Sequence, residues 1–282
     1  MRPARFVSML GADTGVETFG VLDDLDRWLS QGLSAVLAWI SGWPGVGVRL
    51  HRLFARILPI RRFTVRGVSI SCALPLHQVG TRIEAFAWAT REPEVLDWID
   101  GFGPSAVFFD VGANFGTETL YAALKPGGPA RICAFDAELI GSYNLALNLA
   151  LNGITTVDNH VVAVGDRSGF VVVPENLNYL HVDGLGKYAR STKRVRVIAL
   201  DDFIAETGIR PSHVKIDVDG PERAIITGLR RTLHDPGLRS LMIEINDAAD
   251  HASITAMLGE AGFVERPRSH ANAYNHIYDR KP

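Results

Sequence analysis

Apolar positions along this chain fall into two textures. In residues 1–61 they recur at helical spacing: Leu22, Leu25, Trp28, Leu29, Leu33, Val36, Leu37 and Ile40 form one stripe through "LDDLDRWLSQGLSAVLAWI". "GWPGVG" interrupts the pattern. Leu50, Leu53, Phe54, Ile57 and Leu58 then share a face, with Arg49, Arg52 and Arg56 on another, until Pro59 ends the run. From residue 62 the pattern changes. "FTVRGVSISCAL" alternates as strands do, and "EPEVLDWID" reads as a short helix with Pro93 in its first turn. Strands are then expected at 107–111, 131–136, 156–164, 170–174, 194–200, 214–218, 240–246 and 274–280. Helices are expected between them at 117–124, 139–151, 200–207, 221–233 and 248–261. Such alternation predicts an α/β fold, a mostly parallel sheet with helices on both faces. Ligands on such sheets bind beyond the carboxyl ends of the strands, so strand-end residues are the ones to follow. Two domains are expected: a helical extension over 1–61 and a catalytic domain over 62–282.

Composition narrows this picture only a little. The chain has 282 residues and a net charge of −2, which gives no global field for nucleic acid. Its two cysteines, Cys72 and Cys133, sit in apolar strand-like runs without metal-ligand spacing. They read as buried free thiols in a reducing, cytoplasmic setting. The N-terminus lacks the apolar core of a secretory signal. No charge occurs between Arg27 and Arg49, but serines, glycines and a proline interrupt that run. A membrane span is therefore not the expected reading.

The candidate chemistry begins at "VFFDVGANFGTETLYAA". An apolar strand stops at Asp110 and turns through Gly112, Asn114 and Gly116 into a helix, whose N-terminal N–H groups suit an anion. The glycines are four apart and position 114 is Asn, so the G-x-G-x-x-G dinucleotide fingerprint of a nicotinamide enzyme is absent. Asp110 would repel phosphate but suits an ammonium. A ligand with an ammonium, a carboxylate and a ribose fits, and S-adenosyl-L-methionine has all three. Asp136 ends the second strand and is placed to accept from both ribose hydroxyls. Ala163 and Val164 in "VVAVGDRSG" are expected to flank the adenine, with Asp166 on its amine. In "HVKIDVDGPERAIITGL", capping accounts for Glu222 and Asp219 but not for Asp217, an acid inside an apolar strand.

These stretches, with "REPEVLDWI", "FDAELIGSYNLALNLALNGI", "VRVIALDDFI" and "LMIEIN", resemble in order and spacing the FkbM family of S-adenosylmethionine-dependent methyltransferases. The resemblance runs from about residue 62 to the C-terminus. It implies a class I, Rossmann-like methyltransferase fold with a seven-stranded sheet and an antiparallel last strand. It also implies O-methylation of a hydroxyl, typically on a sugar, a glycan or a polyketide-type natural product. Two positions depart from the family: "FDA" stands where "FEP" is commoner, and Asp219 stands where Glu is. Asp136 therefore has a shorter reach.

Methyl transfer to a hydroxyl requires alignment and a proton acceptor. Asp217 is the first candidate base and His181, in the insert "NLNYLHVDGLG", the second. A divalent cation such as Mg²⁺ on Asp217, Glu244 and Asn246 is an open option resembling other class I O-methyltransferases. A saccharide or glycan hydroxyl is the expected acceptor. O- or N-methylation of a natural product and a non-catalytic S-adenosylmethionine-binding module are the alternatives. The tryptophans and arginines of residues 21–62 suit an oligomer interface, a cap on the catalytic domain, or the anionic inner face of a membrane. A homo-oligomer is the leading expectation.

Overall fold

A computed structural model describes residues 60–73, 92–174, 192–218, 220–267 and 274–281, with Val36, Trp39 and Arg49 in helical backbone. The chain divides into two compact units, Met1–Leu58 and Pro59–Pro282. Most of the first unit, His181, Asp219 and most of the insert after residue 174 lie outside the described residues. No helix among the described residues is long and apolar enough to cross a membrane.

The second unit opens with an antiparallel hairpin, β1 (Ile60–Val65) and β2 (Val68–Ala73). Helix α1 (Pro93–Asp100) follows, with Pro93 in its first turn. The main sheet has seven strands in the order β11-β12-β10-β9-β3-β4-β5. They are β3 (Val107–Val111), β4 (Arg131–Asp136), β5 (Val157–Val161), β9 (His213–Ile216), β10 (Ser240–Glu244), β11 (Phe263–Glu265) and β12 (Asn275–Arg280). β12 runs antiparallel to both β10 and β11, and the other pairings are parallel. A second sheet takes β6 (Ala163–Val164), β7 (Gly169–Pro174) and β8 (Thr192–Ile198) in the order β6-β8-β7.

The central strands are mostly apolar because both of their faces are covered. On one face Phe108, Ile132 and Met242 pack beneath Val95, Trp98, Leu120 and Leu145 from the hairpin side of the unit. On the other, Phe109, Val111, Val214 and Ile243 pack with Phe203, Ile225 and Leu258. These helical residues come from α2 (Thr117–Leu124), α3 (Leu139–Leu151), α4 (Leu200–Thr207), α5 (Glu222–Gly228) and α6 (Ala248–Glu260), besides α1. The chain runs from β3 out to β5 and returns to β9 on the other side of β3. The strand order therefore reverses between β3 and β9, the position where such sheets open a crevice.

Asparagines of α3 tie the hairpin to this crevice. The amide of Asn148 accepts from Ala73 N at 2.8 Å and donates to Phe115 O at 2.9 Å, inside the glycine turn. Asn152 exchanges both bonds of a backbone pair with Ser71, at 2.8 and 2.7 Å.

Several expected elements change on folding. The strand foreseen at 156–164 breaks at Val162, so that Ala163–Val164 leaves β4 to pair with β8. The helix foreseen at 221–233 stops at Gly228, and a 3-10 turn follows at Thr232–His234. The carboxylate of Asp201 captures Arg231 N, Thr232 N and Thr232 Oγ1 at 2.7, 3.0 and 2.7 Å, and tertiary bonding thus displaces the helical ladder. The strands foreseen at 214–218 and 240–246 end at Ile216 and Glu244, and β11 was not foreseen. Cys72 and Cys133 are buried free thiols, and burial pushes both up to about 12.

Candidate active site

At the reversal of strand order, the turn after β3 is held by two hydrogen bonds to the end of β4. Gly112 N and Ala113 N both donate to Phe135 O, at 2.9 and 3.1 Å. Gly112 has φ 86°, and a Cβ there would lie 1.7 Å from the carbonyl oxygen of Asp217. The turn therefore touches the end of β9 so closely that only glycine fits. Asn114 follows with φ 49°, the left-handed region that asparagine tolerates. Gly116, with φ 93°, starts α2, and a Cβ there would lie 2.3 Å from the Leu145 side chain. All the residues of this turn named from the sequence are thus brought together.

Asp136 joins them. Its Oδ2 accepts from Asn114 N and its Oδ1 from Glu138 N, both at 2.6 Å. Burial moves this carboxyl above its ordinary range, and the two backbone donors oppose that shift. Each oxygen engages one donor, and an ionised carboxylate has about four lone-pair sites, so one acceptor position per oxygen stays open.

Asp110 is placed differently from the expectation. Its carboxylate is completely buried beneath the turn, so it meets no ligand at the surface. Thr119 Oγ1 donates to its Oδ2 at 2.6 Å, and the ammonium it faces is that of Lys215, 4.0 Å from Oδ1. Register explains the meeting, since Asp110 of β3 lies directly opposite Lys215 of β9. Lys215 is itself buried and reaches Asp217 at 2.8 Å and Glu118 at 3.8 Å. Burial alone would lower this ammonium; the charges of Asp217, Glu118 and Asp110 hold it well above its ordinary value. Burial pushes Asp110 up to about 6, against the pull of Lys215.

Beyond β9, Asp217 stands next to Glu244 at the end of β10. Burial, then the charge of Asp217 and a hydrogen bond shared with it, push Glu244 up to about 8. The ammonium of Lys215 lies on the other side of Asp217, 2.8 Å from its Oδ2. Asn275 of β12, opposite Glu244, donates to Glu94 Oε1 at 2.8 Å, and the buried Glu94 Oε2 has no hydrogen-bond partner. The carboxyl edge of this sheet face is thus lined by Asp217, Glu244, Glu94 and Asn275.

The other foreseen residues are not part of this group. Val164 is buried in the apolar core of the opposite face, beside Ile198, and does not present a surface to adenine. Asp166 sits in an exposed turn, 3.8 Å from Arg167, and its neighbour Gly165 is packed against Gly228 of α5. The cation set of Asp217, Glu244 and Asn246 does not fit a divalent ion. Asn246 is exposed past the end of β10, and Asp217 already pairs with the ammonium of Lys215, whose charge opposes a second cation there. Lys215 and Glu118 join this charge cluster without having been expected from the sequence. The signal was a lysine inside the apolar run "HVKI" and a glutamate on the inward face of α2.

Residues 110–265 match the family model described as the methyltransferase FkbM domain. No curated protein is similar enough to count as a match. Among solved structures, methyltransferase FkbM from Methylobacillus flagellatus is 19% identical with a TM-score of 0.49, over 63% of this chain and 44% of that one. The chain therefore spans less than half the length of that protein. An rRNA methylase from Streptococcus thermophilus is 14% identical with a TM-score of 0.40, over 67% of this chain and 95% of that one. A precorrin-6y C5,15-methyltransferase from Geobacter metallireducens is 15% identical with a TM-score of 0.41, over 68% and 90%.

Proposed function

The chain belongs to the FkbM methyltransferase domain family, and on that premise we propose that it transfers a methyl group from S-adenosylmethionine to a hydroxyl of a saccharide or glycan. The observation that carries the reading is the Asp217–Glu244 pair beside the glycine turn: the carbonyl of Asp217 packs against Gly112, and Glu244 is hydrogen-bonded to the Asp217 carboxylate.

The residues present fit the cofactor. The left-handed turn packs without side chains against Asp217 and Leu145, and Asp136 keeps acceptor capacity for the two ribose hydroxyls. The Gly112–Gly116 backbone and Asp136 would hold it, with Asp110 acting from beneath through Thr119 and Lys215. When bound, S-adenosylmethionine supplies an electrophilic methyl and a neutral thioether leaving group. What remains for the protein is to align the acceptor and to remove its proton. Asp217, with the Lys215 ammonium 2.8 Å from its carboxylate, accepts the hydroxyl proton as the new oxygen–carbon bond forms. Glu244 donates to Asp217 beforehand and fixes the direction of its remaining lone pairs. A row of carboxylates suits a neutral polyol, because each carboxylate oxygen accepts from a hydroxyl, whereas an acidic acceptor is repelled.

The test uses the full chain with radiolabelled S-adenosylmethionine and a panel of neutral glycans, uronic-acid glycans and polyketide alcohols. Methylation of neutral glycans, falling at least 100-fold in Asp217→Asn while S-adenosylmethionine affinity stays within threefold, is the expected result. Undiminished turnover in Asp217→Asn rejects that residue as the base. Titration that shows NAD binding without S-adenosylmethionine binding rejects the whole reading.

A further inference from the structure

A second group of side chains lies on the far face of the same sheet edge. His251 on α6, Glu265 at the end of β11 and His276 on β12 converge from three elements. His251 Nε2 is 3.0 Å from one oxygen of Glu265, and His276 Nδ1 is 2.7 Å from the other. The two imidazole rings lie 4.1 Å apart, tilted by 35°. One ligand atom from each residue falls within 4.8 Å of the others.

We propose that His251, Glu265 and His276 form a binding site for a divalent transition-metal ion of the zinc type. Ligands around a tetrahedral ion with bonds of about 2.0–2.1 Å stand roughly 3.3 Å apart, so the two nitrogens and the carboxylate need only small adjustments to enclose one. Two imidazoles and one carboxylate are a borderline donor set that favours zinc, cobalt(II) or iron(II) over Mg²⁺ or Ca²⁺. A metal bound here requires both imidazoles neutral, so its binding competes with protons. Side-chain exposures of 31% at His251 and 24% at Glu265 leave the site open to entering metal and to a solvent ligand, while His276, 3% exposed, anchors it.

The position defines the role. His276 lies directly opposite Ile243, on the face turned away from Asp217. Its neighbour Asn275 lies opposite Glu244 and bonds Glu94. An ion here ties α6, β11 and β12 together immediately behind the strand that carries the wall of the acceptor site. It is a structural tie, independent of the methyl-transfer reading.

The experiment is zinc titration of the chelator-stripped full chain by calorimetry and thermal melting, with His251→Ala, Glu265→Gln and Asp217→Asn as variants. One equivalent should bind at micromolar affinity or better and raise Tm by several degrees. Affinity should fall at least tenfold in His251→Ala and in Glu265→Gln and stay unchanged in Asp217→Asn. Cobalt(II) in the wild-type chain reads the ligands without any variant: visible bands of four- or five-coordinate cobalt are expected. Absence of zinc binding by the wild type, retention in either the histidine or the glutamate variant, loss in Asp217→Asn, or only the weak absorption of hydrated cobalt overturns the proposal.

Discussion

Replacing Lys215 with methionine tests the electrostatic core of the site. The methionine fills the same buried volume but removes the ammonium that lies 2.8, 3.8 and 4.0 Å from Asp217, Glu118 and Asp110. Removing one partner of a buried ion pair costs about 3–5 kcal/mol, since the remaining charge stays buried without compensation. Asp110 and Glu118 are both buried, so the upper part of that range is expected near pH 8. The loss must depend on pH. Asp110 already stands at about 6, above its ordinary 3.8. A carboxyl raised in the folded state contributes stability that is fully present below its unfolded value and is lost as pH rises through the folded one. Without Lys215 the raising is larger, so the variant should recover toward wild type as pH falls to 5.5 and Asp110 takes up a proton. Urea unfolding at pH 5.5 and pH 8.0 measures both quantities. A loss below about 1 kcal/mol at pH 8, or an equal loss at the two pH values, would refute the role of Lys215 as the counter-charge of three carboxylates.

Two further substitutions probe the turn and the acid pair. Gly112→Ala forces a Cβ to within 1.7 Å of the Asp217 carbonyl at φ 86°; a loss of about 3 kcal/mol or more is expected from left-handed strain and overpacking together, with S-adenosylmethionine binding abolished in calorimetry. Glu244→Gln removes a carboxyl whose folded value is about 8. By the same sign rule its ionisation lowers wild-type stability as pH rises from about 4.5 through 8, so the variant should melt higher than wild type at pH 9, by roughly 1–2 kcal/mol after solvent screening, and gain little at pH 6. The wild-type pH–rate profile should bend near pH 8, and that bend should vanish in Glu244→Gln.

Local physics made much of this fold legible, and tertiary physics hid the rest. The elements Val107–Val111, Thr117–Leu124, Arg131–Asp136, Leu139–Leu151 and Leu200–Thr207 coincide with the expected ones, because apolar run length and glycine breaks are local signals. Gly112, Asn114, Gly116 and Asp136 were legible as a group for the same reason, since a strand–turn–helix must close over a short stretch of chain. Where a boundary moved, a distant residue decided it. Asp201 cut short the helix after Gly220 by binding residues about 30 positions away. The role of Asp110 moved in the same way. Read alone, an acid at a strand end asks for an external cation; paired in register with Lys215, it has one within the chain. Asp217 was noticed because an acid inside an apolar strand needs a reason, and that rule applied equally to Lys215 two residues earlier. Read as a pair, the two place a buried ammonium beside a half-buried carboxylate, and the carboxylate raises the lysine. A buried residue of the wrong polarity thus calls for a partner of opposite charge at the opposing register position of the next strand, a search that would have led from Asp217 through Lys215 to Asp110 and Glu118.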